Sequence, residues 1–161
     1  MRKLNCHNLL KNLNSLCKFL NETYCINQGG CCFVASLIAK HLDKLGIKYD
    51  LVIYDHYKKH EDLIEYEIVN CHRNTSISSS VTGYCGCYHY CLRIKGAGVV
   101  NENNSQEETE YQYIISKISY KNIKWIYKNS KWNDSYDTKY NKVVRNIVKE
   151  FFKEYESFSF F

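Results

Sequence analysis

The sequence predicts an α+β domain: N-terminal helices, one carrying a candidate nucleophile, packed on an antiparallel β-sheet, with an amphipathic helix at the C-terminal end. Three observations point there. Apolar residues recur at helical spacing up to Leu45, short β-branched and aromatic runs separated by glycine turns fill the middle, and one apolar face persists from Tyr140 to Tyr155. At 161 residues and 45% hydrophobic content, the chain is read as a single domain, 1–161, able to bury a core without staples.

In order along the chain, Leu9, Leu10, Leu13, Leu16, Cys17 and Leu20 fall at helical spacing between Lys and Asn residues. Residues 21–30 read as a connector. A second helix is expected from Cys31 or Cys32, with Val34, Leu37, Ile38, Leu42 and Leu45 on one face and Gly46 as its C-cap. Leu51-Val52-Ile53-Tyr54 reads as a strand, residues 63–69 fit strand or helix, and residues 76–83 read as a loop. Cys85 to Ile94 is expected to form a strand, Lys95-Gly96-Ala97-Gly98 a turn, and Val99-Val100-Asn101 the return strand of a hairpin. Residues 103–110 read as an acidic loop, Tyr111 to Ile118 is β-like, and Lys121 to Tyr127 suits a short helix. In the last helix, Tyr140, Val143, Val144, Ile147, Val148, Phe151, Phe152 and Tyr155 share a face, with Asp137 or Thr138 as N-cap.

Composition narrows the function classes. The net charge is +5, but lysines are interleaved with Asp and Glu, and the fifteen tyrosines are scattered, so no nucleic-acid partner is expected. No apolar run approaches membrane-spanning length, so no membrane association is expected. The nine cysteines are odd in number, and the first apolar residues are periodic rather than a continuous leader. A reducing cytoplasm is the expected compartment, with most thiols buried as small hydrophobes. The lack of proline and the abundance of Asn, Lys, Tyr and Ile reflect an AT-rich genome and would suit a small phage protein. Nothing indicates an oligomeric state.

The chemistry concentrates in Gly29-Gly30-Cys31-Cys32-Phe33-Val34-Ala35. It puts a thiol at the first turn of a helix, where backbone N–H groups and the helix dipole favour the thiolate. A cysteine nucleophile also needs a base and a group that orients the base. His89, at the head of a strand, is the candidate base, and His72 is the next choice; His56 and His60 read as solvated. Asn101, across the hairpin turn, is the candidate orienting residue. Asn103 and Glu102 compete with it because sequence does not set the hairpin register.

Those residues resemble the papain-like and transglutaminase-like thiol enzymes. Gly29-Gly30-Cys31, Ala35 and Leu45-Gly46-Ile47 are similar to the transglutaminase-like helix, and His89-Tyr90 and Val99-Val100-Asn101 are similar to the strands that complete its site. The usual aspartate is replaced by asparagine, as in the papain branch. The resemblance covers residues 29–103 and implies a Cys31-His89-Asn101 triad acting on an amide bond of a protein or peptide, by hydrolysis or acyl transfer, without a cofactor. The spacing favours Cys31 as nucleophile, while an aromatic directly after the nucleophile favours Cys32, followed by Phe33. Gln28 is the candidate oxyanion donor.

Two other readings stay open. One is a binding module of the same fold whose cysteines are merely buried. The other is a small zinc protein, because Cys85, Cys87, His89 and Cys91 share one face of the expected strand. The plain account of that stripe is a small-residue face packed against the helix that bears Cys31.

Overall fold

The computed structural model describes residues 3–26, 30–55, 88–100, 111–129 and 138–158. Helix α1 (Cys6–Tyr24) starts at Asn5, whose backbone is extended and whose side-chain oxygen accepts from the amides of His7 at 2.9 Å and Asn8 at 3.3 Å. It buries Leu9, Leu13, Cys17 and Leu20, the expected stripe, and stops where Cys25 turns left-handed. Helix α2 (Cys31–Lys44) buries every residue from Cys31 to Ala39, and Leu42. A helix apolar on all sides lies at the centre of a domain.

Gly46 ends α2 as expected. Its φ is +71°, its amide donates to the Asp43 carbonyl at 3.1 Å, and the Ile47 amide donates to the Leu42 carbonyl at 3.0 Å. That pair of bonds is a Schellman closure, and the buried Ile47 caps it. The chain then enters β1 (Tyr49–Asp55) directly.

Strands β2 (Tyr88–Ile94), β3 (Gly98–Val100) and β4 (Tyr111–Ile115) join β1 in one sheet of order β3-β2-β1-β4. All three pairings are antiparallel. Their register sets Tyr49 opposite Ile94, Leu51 opposite both Leu92 and Ile115, and Leu92 opposite Val100. The expected strand to Ile118 stops at Ile115, because Lys117 takes a φ of 55° and bends the chain out of the ladder.

Helix α3 (Tyr120–Asn129) is longer at both ends than the expected 121–127 segment. The Asn122 side-chain oxygen accepts from the Ser119 amide at 3.1 Å and its hydroxyl at 2.9 Å, while the Tyr120 amide donates to Asp43 Oδ2 at 2.9 Å. Helix α4 (Thr138–Lys153) buries Val144, Val148 and Phe152. The expected helical face ran on to Tyr155, but that residue lies in a turn past the helix end. It stays buried, and its hydroxyl accepts from Asn12 Nδ2 at 2.7 Å. Asp137, one of two expected N-caps, lies outside the described residues, as do 56–87 and 101–110; Thr138 is the first residue of α4.

Strand alternation separates two faces. Tyr49, Leu51, Ile53, Tyr90, Leu92, Ile94, Val100 and Ile115 join the helices in the main core. Val52, Cys91 and Val99 form a small cluster of their own. Cys91 therefore does not face α2 as expected, since Leu92 and Ile94 occupy that side; Cys85 and Cys87 of the expected stripe lie outside the described residues. Beside Val52 lies Asp50, 2% exposed, with Arg93 Nη2 at 2.7 Å and Lys95 Nζ at 3.7 Å.

Candidate thiol site

Cys31 is the first residue of α2, and Gly30, with φ −100° and ψ −4°, is its N-cap. The Gly30 amide donates to the Ile26 carbonyl at 2.7 Å, and the Gly30 carbonyl accepts from Val34 at 3.0 Å, so a tight turn runs into the helix without a side-chain cap.

The neighbouring cysteines have different surroundings. Cys32 is 0% exposed, and its thiol lies 3.9 Å from the Ile123 carbonyl of α3, inside the main core. Cys31 is 9% exposed and belongs to neither apolar cluster. Burial pushes its thiol above the ordinary value. The backbone amides of Tyr90, Cys32 and Cys31 itself are directed at the sulfur and oppose that shift. The sulfur thus lies where the start of α2 meets the Tyr90 amide of β2.

Tyr90 is the contact that sequence reasoning missed as a participant, although it was legible as the aromatic partner in His89-Tyr90. His89 is the residue before it, in β2, in register with Tyr54. The expected base and the expected nucleophile are therefore carried by elements that meet within one residue of His89. Tyr90, Leu92 and Ile94 of β2 face the main core, and Cys91 faces the reverse side.

Gln28, Asn101, Asn103 and Glu102 lie outside the described residues, and so do His56, His60 and His72. The zinc alternative draws on Cys85 and Cys87, which also lie outside them; among the described residues no three His, Cys, Asp or Glu side chains gather as a metal site requires. Among the described residues, too, no helix is long and apolar enough to cross a membrane.

Comparison of the chain with protein-family models, with curated proteins and with solved structures finds no match.

Proposed function

We propose that this protein is a thiol-dependent acyl hydrolase or acyltransferase in which Cys31 attacks an amide carbonyl of a protein or peptide and His89 serves as base. One observation supports it above the rest: Cys31 opens α2 with its sulfur against the Tyr90 amide, next in sequence to His89. Burial holds the resting sulfur as a thiol, so the reaction calls for a base at the moment of attack rather than a standing ion pair. His89 accepts the thiol proton as the S–C bond forms. It returns that proton to the leaving amine as the C–N bond breaks, and water or a second amine then takes the acyl group from sulfur. Asn101 is assigned to orient the imidazole.

A second reading, a binding module of the same fold, is favoured by the raised Cys31 thiol itself, since a structural buried cysteine is inert. Limiting iodoacetamide at about pH 7, with the labelled sites mapped by mass spectrometry, separates the two. Cys25 is exposed and serves as the internal reference thiol. The enzyme reading expects Cys31, despite its burial, to label at least as fast as Cys25 through base assistance, with that rate lost in His89→Ala. Labelling of Cys31 slower than Cys25, or an unchanged rate in His89→Ala, supports the binding module and overturns the Cys31–His89 pair. Cys32, sealed against α3, is expected to stay unlabelled in the folded chain.

A further inference from the structure

At the end of the sheet remote from Cys31, the C-terminal end of α2, the start of β1 and the ends of β2 and β4 enclose a cleft of about 400 Å³. Lys48, Lys95 and Lys117 stand around it, Tyr49, Ile47 and Ile118 form buried walls, and Asp43 completes the lining with Gly46. We infer that this cleft binds a small, multiply charged oxyanion such as the phosphate end of a metabolite, held by Lys48, Lys95 and Lys117.

Three observations carry the inference. First, the lysines come from three adjacent strand ends. The Lys95 amide donates to the Lys48 carbonyl at 3.1 Å, continuing the ladder one step past the Tyr49–Ile94 pair. Lys48 and Lys95 are thus opposed like charges across an antiparallel pair, a destabilising arrangement that Asp50, 3.7 Å from Lys95 Nζ, offsets only on the Lys95 side. Second, Lys117 has a φ of 55°, a left-handed conformation that a β-carbon disfavours. That bend brings a third ammonium to the same cleft rather than continuing along β4.

Third, the nearby carboxylates are already engaged. Asp43 accepts from the Tyr49 hydroxyl at 2.8 Å and from the Tyr120 amide at 2.9 Å, one bond to each oxygen. Asp50 is held by Arg93 at 2.7 Å, with Lys95 more distant at 3.7 Å. Among the described residues, Lys48 and Lys117 have no ion-pair partner. Three lysines line the cleft with the one Asp43 carboxylate, and since Lys95 is shared with Asp50, Lys48 and Lys117 carry its unpaired positive charge. The negative pole of α2 ends here, but Lys44 in the last turn of α2 already complements it.

The test uses the full chain with inorganic pyrophosphate as probe, read by isothermal titration and by thermal shift at low salt. The wild type is expected to bind and to melt higher with the probe. Lys48→Gln/Lys117→Gln is expected to bind at least about tenfold more weakly, yet to melt no lower than wild type without probe, because an opposed like charge has been removed. Lys124→Gln/Lys142→Gln, on exposed helical positions elsewhere, should retain wild-type affinity. Equal weakening by both double variants would reveal only bulk attraction between a cationic chain and an anion, and would overturn the site. So would a Lys48→Gln/Lys117→Gln variant that binds as wild type. A fall in the melting temperature of that variant without probe would show the lysines to be structural and would count equally against it.

Discussion

His41 stacks on Phe152 with ring centroids 4.6 Å apart and planes 5° from parallel. Burial lowers its pKa first, and Lys44, Lys40 and Lys149 add to that effect against a smaller opposing pull from Glu156. The folded chain therefore prefers the neutral imidazole. Its contribution is present above the unfolded value of about 6.5 and is lost as pH falls through that value toward the lowered one. The melting temperature is expected to drop between about pH 7 and pH 5, and His41→Phe should remove part of that slope. Asp50 behaves in the same sense, in a more acidic range. Burial raises its carboxyl, but hydrogen bonds from Arg93 and Ser116 and the charge of Lys95 outweigh burial and hold it below the ordinary value. Its contribution is present above about pH 4 and is lost on further acidification. Asp50→Asn should shift acid unfolding and leave the neutral imidazole effect intact, which a two-dimensional pH–temperature map would separate. Neither environment is legible in sequence, because Phe152 and Arg93 come from elements distant in the chain from His41 and Asp50.

The helices were the readable elements, because their signals are local. The stripe from Leu9 to Leu20, the Gly46 terminus and the face from Val144 to Phe152 all follow from spacing within a few residues. Substituting alanine at Gly46 meets open space, so only the left-handed backbone resists it; the expected loss is about 1 kcal/mol, read as a lower melting temperature. Phe33 is different in kind. It is 2% exposed, lies 5.2 Å from the Tyr127 ring and carries the Arg145 guanidinium 5.4 Å above it. Phe33→Ala is expected to cost about 3–5 kcal/mol, measured by denaturant unfolding. Sequence reasoning offered Phe33 as the aromatic that follows a nucleophile at Cys32. The structure gives it a packing role between α2, α3 and α4. The strand ends were less legible. Ile118 continues an apolar run, and only the backbone turn at Lys117 separates it from β4.

At the scale of the whole molecule, the α+β class was legible and the sheet order was not. Hairpin β2–β3 announces itself through Lys95-Gly96-Ala97-Gly98, but nothing local tells β4 to pair with β1 rather than extend the β3 edge. The candidate site shares that limit. Cys31 was visible from its glycines and its helix, whereas its contact with Tyr90 exists only once α2 lies on β2. Because β1 pairs with strands that arrive far later in the chain, refolding is expected in the range of milliseconds to seconds rather than microseconds, measurable by stopped-flow tyrosine and tryptophan fluorescence.

The central position of β1 also bears on synthesis. A ribosome that has released the chain as far as Asp55 has delivered both N-terminal helices and one strand, but neither of the strands that will flank it. Until Tyr88–Ile94 emerges, one row of main-chain donors and acceptors on that strand is open to another nascent chain, and the second row stays open until Tyr111–Ile115. The hazard of self-association during production is therefore set by translation time across the middle of the message. Slowing elongation there should lower soluble yield, whereas slowing it after Asn129 should matter little.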